Sequence, residues 1–227
     1  MSGTGLLLHG VTLRRSSLTD GVYESLLEAI VTGRLSPGAE LNAVTLSREL
    51  DVSRTPVTEA LRRLEHDGLV EHVTNRKSRV ARFTRRDVIE LYEVRKHLEA
   101  ASAEGASRSM SDDVLQELSR EFALLDAQRD AIDWPARAIA FDVHFHDRIA
   151  EASGNSRLRD DIARYRLLVR SFCRLTGRTS NLDHAFAEHG EILAALQRRD
   201  PAAARHAMIV HIEKRLAAVL SELFPES

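Results

Sequence analysis

The chain has 227 residues, 43% hydrophobic and 29% charged, with a formal net charge of −2. That composition suits one large or two modest soluble, helix-leaning domains and excludes a disordered chain. A balance this close to neutral also excludes a protein that coats nucleic acid indiscriminately.

No apolar run approaches the roughly 18 residues of a membrane span. The N-terminus has Leu6–Leu8 but no basic lead-in and no cleavage site, so the chain reads as cytoplasmic. The single cysteine, Cys173, lacks a partner for an intramolecular disulfide or a thiolate zinc site.

Residues 1–18 read as a flexible arm broken by Gly3, Gly5 and Gly10. Thr19 begins a helix, with Asp20 and Glu24 near its positive end. Val22, Leu26, Leu27, Ile30 and Val31 recur at helical spacing up to Gly33. Pro37-Gly38 fits the central pair of a type II turn. Residues 44–50 give a short second helix with Leu46 and Leu50 inward.

Residues 52–70, VSRTPVTEALRRLEHDGLV, carry the densest information. Ser53 sits where a side-chain oxygen would accept a backbone N–H at a helix start. Pro56 falls in the first turn, where a missing N–H costs nothing. Val57, Ala60, Leu61 and Leu64 form one apolar face, and Arg54, Thr58 and Arg62 run four apart down another. Gly68 is the stop. A short helix, a turn and a second helix with Arg outside is the helix-turn-helix pattern that enters a DNA major groove. A helical hairpin with a solvated charged face has the same pattern.

Leu69, Val70 and Val73 then start a strand that Val80 and Phe83 return, with Asn75–Ser78 as the tip. Residues 72–82 carry Arg76, Lys77, Arg79 and Arg82 and no acid. Such a tip suits phosphate or minor-groove contacts. The alternative is an exposed edge hairpin that uses Lys and Arg against aggregation, but beside a helix-turn-helix the DNA reading is favoured. Residues 19–83 are therefore expected to form three helices and a two-stranded wing.

Thr84 can cap a long new helix with Asp87 three residues on. From there the chain reads as helices over 85–108, 111–130, 134–152, 156–176, 181–198 and 200–223, each bounded by a stop or cap. The fold class is mainly α: an N-terminal winged helix-turn-helix, then an all-α antiparallel bundle over 84–227.

Four polar residues of the bundle stand out. Asp142 and His146 share a face one turn apart, His189 lies beside the stripe of Phe186, Ile192 and Leu193, and His211 lies between Val210 and Ile212. One carboxylate and three imidazoles from three helices suit a divalent transition metal. A histidine beside an apolar stripe is also an ordinary core residue, so spacing alone leaves both readings open.

Two stretches carry a family resemblance. SRTPV-EALRRLE-DGLV resembles the winged-helix signature of the GntR family of bacterial transcription regulators. LYEVRKHLE at 91–99, FDVHFHDRIAEASGN at 141–155, HGEILAAL at 189–196 and the later His211 resemble the FCD effector domain of its FadR-like branch. The resemblance spans about 19–223.

It implies a homodimeric regulator, a repressor first, bound to double-stranded operator DNA and not an enzyme. The implied DNA contacts are Ser53, Arg54, Thr55, Thr58, Arg62, Asn75, Arg76 and Lys77. The implied metal ligands are Asp142, His146, His189 and His211, with zinc the first choice and nickel, manganese or iron as alternatives. Arg95 would meet the carboxylate of a small organic acid; its other reading is an ion pair with Glu99 on its own helix. Two rivals are a metal sensor whose effector is the ion itself and a metal-dependent hydrolase. The chain has no HExxH and no GxSxG to support the hydrolase.

The sequence departs from the family pattern at Thr58, where an arginine is usual, at Lys77 and Asp51, where glycines are usual, and at Val44, where some members place an arginine. A lost arginine at 58 removes a guanine contact of about 1–3 kcal/mol.

Overall fold

The computed structural model describes residues 18–73, 77–173 and 182–225. Among these the chain is mainly α and divides into two compact units that part between Ala81 and Arg82.

The first unit begins with α1 (Leu18–Val31), which buries Val22, Leu26 and Ile30 at four-residue spacing. A turn follows in which the Ala39 N–H donates to the Ser36 carbonyl at 2.9 Å, closing around Pro37-Gly38 as expected. Strand β1 (Glu40–Leu41) leads into α2 (Ala43–Glu49), whose first turn donates to the Asn42 side chain from Val44 N and Thr45 N. Helix α3 (Arg54–His66) completes the helical set.

Ser53 holds the cap position with extended backbone, but its hydroxyl accepts no bond from the helix, contrary to the expectation. At the other end Gly68 takes φ +80°, a left-handed stop that L side chains adopt only with strain. Strands β2 (Val70–Val73) and β3 (Lys77–Val80) form the wing hairpin, pairing Val70 with Val80 and Val73 with Lys77. The expected two strands gain a third, because β1 pairs with β3 and sets the sheet order β1-β3-β2.

The second unit is helical. It comprises α4 (Arg85–Ser109), α5 (Asp112–Asp126), α6 (Trp134–Ala152), α7 (Ser156–Cys173), α8 (Leu182–Gln197) and α9 (Pro201–Leu223). Thr84 and Asp87 form the expected capping box: the Asp87 N–H donates to the Thr84 hydroxyl and the Thr84 N–H to the Asp87 carboxylate. Asp200 caps α9, with Pro201 at its first position.

Helix α4 is the long spine; it packs along α9 and also meets α6, α7 and α8. An aromatic layer lies beside it. Phe122 stacks on Phe186 at 4.4 Å, Trp134 meets Phe186 edge-on at 5.7 Å, and Phe141 and Phe145 continue the layer to His189. The layer needs a bare backbone on α8: a Cβ on Gly190 would stand 2.9 Å from the tip of the Phe122 ring. Among the described residues no helix is long and apolar enough to cross a membrane.

Candidate functional site

Two polar surfaces are candidates, one on each unit. On α3 the residues Val57, Ala60 and Leu64 are fully buried, and Leu61 nearly so. That fixes the rotation of the helix and leaves Arg54, Thr55, Thr58 and Arg62 exposed, together with Ser53.

The arginines of this helix then divide. Arg63 donates to Asp20 on α1 at 2.6 Å and lies 4.2 Å above the Tyr23 ring. Tyr23 in turn donates to Asp67 at 2.7 Å, and burial, with the Asp67 bond, raises its hydroxyl pKa far above the usual value. Arg63 therefore serves packing. Arg54 and Arg62 have no ion-pair partner among the described residues. Thr58 turns its hydroxyl back onto its own helix, donating to the Arg54 carbonyl at 2.9 Å. Of the wing residues singled out in the sequence, Asn75 and Arg76 lie outside the described residues, and Lys77 opens β3.

In the second unit the structure brings Asp142, His146, His189 and His211 together: one donor atom from each lies within 4.8 Å of all the others. Asp142 and His146 come from α6, His189 from α8 and His211 from α9. The His146 and His189 Nε2 atoms are 3.3 Å apart, and Asp142 Oδ1 is 3.3 Å from His189 Nε2 and 3.7 Å from His146 Nε2. The three imidazoles are 1–2% exposed, whereas the Asp142 side chain is 37% exposed, so the cluster opens to solvent at the carboxylate.

The far side of each ring explains the orientation. His146 Nδ1 donates to Glu99 Oε2 at 2.5 Å, and His211 Nδ1 donates to Glu188 Oε2 at 2.9 Å. A proton held at Nδ1 leaves the Nε2 lone pair facing the cluster, which is how outer carboxylates prepare histidine ligands. His189 Nδ1 is buried with no hydrogen-bond partner among the described residues.

Glu99 joins further charges to the cluster. Arg95 gives it a two-pronged contact, from Nε at 2.9 Å and Nη2 at 2.7 Å, and Arg166 lies 3.7 Å away. Arg166 also donates to Asp142 Oδ2 at 2.9 Å, which leaves Oδ1 for the imidazoles. Arg95 is thus ion-paired with Glu99, the second of its two sequence readings, and stacks 4.7 Å from the Tyr92 ring.

Burial opposes the Glu99 charge, yet Arg95, His146 and Arg166 outweigh it and hold the carboxyl well below the usual range. Burial likewise opposes the Asp142 charge, and Arg166 with the imidazoles holds that carboxyl well below too. Burial, reinforced by Arg166, pushes His146 down to about 4. Burial and the two neighbouring imidazoles push His211 well below its ordinary value. Around the cluster stand the carboxylates of Asp142, Glu99 and Glu188 and the guanidiniums of Arg95 and Arg166, and His146 and His211 favour the neutral form a metal requires.

That donor set fits a divalent transition ion. Three imidazole nitrogens and a carboxylate oxygen converge, two of the rings are oriented by carboxylates, and the third has an orphaned buried nitrogen. Sequence reasoning missed Arg166 and Glu188, and it assigned Glu99 to Arg95 alone. No local signal marks these three, because their roles depend on how separate helices rotate against one another.

The same two units appear in known proteins. The description "Bacterial regulatory proteins, gntR family" matches residues 18–80, and the FCD domain matches residues 90–214. An uncharacterized HTH-type transcriptional regulator, YdhC of Bacillus subtilis, is 25% identical over 88% of this chain and 91% of its own. A probable D-xylose utilization operon transcriptional repressor of Paenarthrobacter nicotinovorans is 26% identical over 91% of this chain and 90% of its own. The solved structure of E. coli McbR/YncC shares the fold, with a TM-score of 0.75 at 24% identity over 90% of this chain and 98% of that one. The chain belongs to the GntR family of bacterial regulatory proteins, in the group that carries a C-terminal FCD domain, and is a transcriptional regulator rather than an enzyme.

Proposed function

We propose that this regulator represses transcription as a homodimer, and that a small carboxylate metabolite bound beside a divalent metal in the bundle controls its affinity for operator DNA. The observation that carries the reading is the convergence of Asp142, His146, His189 and His211 with Glu99 and Glu188 behind two of the rings. Zinc suits three imidazoles and a carboxylate best; nickel, manganese and iron accept the same donors.

Charge supports an anionic effector. Arg95 and Arg166 balance Glu99 and Asp142, and Lys214 and Arg215 lie 3.6 and 3.8 Å from Glu188, so a divalent ion adds two positive charges that no carboxylate of the cluster offsets. A carboxylate arriving through the opening at Asp142 would neutralise them. Arg95 would bind it with the N–H groups that Glu99 leaves over, the two on Nη1 and the second on Nη2.

On the DNA side, Ser53, Arg54, Thr55, Thr58 and Arg62 face the major groove in this reading, and Asn75, Arg76 and Lys77 meet the backbone beside it. Two copies would read the two halves of a pseudo-palindrome. Regulation requires that the effector bind the DNA-competent and DNA-incompetent states with different affinity. The near-complete burial of the imidazoles favours a resident ion with a separate effector over an ion that signals by exchanging.

Elemental analysis of the purified wild type beside His189→Ala tests the centre. About one transition metal per chain, lost in the variant, is the expected result. No metal in either after incubation with zinc, nickel and manganese would make the cluster packing alone. A screen of carboxylic acids against operator affinity and melting temperature tests the effector, and no response to any acid sinks that part.

A further inference from the structure

The side chain at position 58 stands in the middle of the exposed face of α3, one turn from Arg54 and one from Arg62. Its hydroxyl is engaged: Thr58 Oγ1 donates to the Arg54 carbonyl at 2.9 Å. A threonine that bonds back to the carbonyl four residues earlier directs its oxygen along the helix axis. The group left on the outer surface is the γ-methyl. The middle of this face is therefore a small apolar knob between two arginines that have no ion-pair partner among the described residues. In a major groove one feature is apolar and projects from a base edge, the thymine C5-methyl.

We propose that Thr58 is a specificity-determining residue that selects thymine by methyl-to-methyl contact, while Arg54 and Arg62 on either side supply the charged contacts. The inference rests on α3 being the groove-facing helix. It assigns position 58 an apolar role, so the preferred half-site carries a thymine between the positions that the two arginines reach. The hydroxyl has no proton left to donate to a base edge, because it is already used within the helix.

The probe is the duplex that the full-length wild-type protein selects from a random-sequence library. Each thymine of that duplex is replaced in turn by deoxyuridine, which removes the methyl and leaves every hydrogen bond in place. One replacement per half-site is expected to weaken wild-type binding about three- to tenfold, as suits the loss of one buried methyl. Thr58→Val keeps the methyl and the shape without the hydroxyl, and is expected to retain affinity and the uracil penalty. Thr58→Ser keeps the hydroxyl without the methyl, and is expected to lose affinity on the thymine duplex and to show no further loss on the deoxyuridine duplex. The exposure of position 58 lets both variants fold, which their melting temperatures check.

Loss of binding in Thr58→Val with retention in Thr58→Ser overturns the inference, because it makes the hydroxyl the reading group. Uracil insensitivity throughout the duplex, with binding still weakened by Arg54→Ala and Arg62→Ala, overturns the Thr58 role alone. Binding unchanged by either arginine substitution removes α3 from the groove and overturns the underlying reading together with this one.

Discussion

The two units place their polar groups in opposite ways. The winged helix buries no charged side chain among its described residues, with Val57, Ala60 and Leu64 fully buried, and carries Arg54 and Arg62 outside. The bundle puts Arg95, Glu99, His146, Arg166, His189 and His211 among its buried residues. Unpaired cations are cheap in water and suit a long polyanion, which is met from outside. Buried charges are tolerated only when each has a partner, and they suit a small ligand that is enclosed. One chain thus holds unpaired charges on a surface in one unit and paired charges in a core in the other, and each arrangement is exposed to a different kind of damage.

Glu99→Ala is the largest test of that contrast. It strips Arg95 of its two-pronged partner and His146 of its acceptor inside the bundle. The expected loss is about 3–5 kcal/mol of stability, the usual result of leaving a buried charge unpaired, read by chemical denaturation. A loss under about 1 kcal/mol would show that solvent reaches Arg95 and that the core is not closed.

Acid is the second test. His146 is held down to about 4 in the folded chain, against 6.5 for the free side chain. Below its ordinary value the unfolded chain takes up a proton that the folded chain refuses, so stability falls as pH drops from about 6.5 to about 4 and levels off below. Asp142 and Glu99, both held low, add losses in the same direction at still lower pH. For metal-free protein this one ring predicts a fall of about 2 kcal/mol between pH 7 and pH 5. Denaturation curves at the two values check it, and a flat response would mean that the ring is not sealed from water.

The smallest effect separates two kinds of arginine on one helix. Arg63→Ala removes an ion pair whose partners are both 47% exposed, together with the stack on Tyr23. The expected cost is at most about 1 kcal/mol of stability, with no change in how DNA affinity falls with salt. Arg54→Ala or Arg62→Ala should do the reverse: leave melting unchanged and, for a phosphate contact, lower the salt slope by about one. If Arg63 moved the slope, the division into packing and DNA-facing arginines would be wrong.

What could be read from the sequence was local. The Thr84–Asp87 capping box, the Pro37-Gly38 turn and the apolar face of α3 are all written within a few residues, and the structure contains each. The four clustered residues were legible as well, because Asp142 and His146 share a helix face and the two later histidines fall in recognisable surroundings. What escaped was relational. Glu188 and Arg166 matter only because α8 and α7 rotate them toward partners 23 and 24 residues away in sequence. Strand β1, two residues long, shows no alternation to detect. At Ser53 the residue type was right for a capping bond that the structure does not make.

Gly190 carries a consequence for how this protein can vary. A glycine inside a helix costs about 1 kcal/mol against alanine, so drift alone would replace it. Here the replacement meets the Phe122 ring, which is pinned flat against Phe186. Position 190 is thus a narrow sieve beside His189. In a library randomised at both places, Glu191 on the exposed side of the helix should accept almost any residue. Survivors at 190 should be glycine, or should carry a smaller side chain at 122.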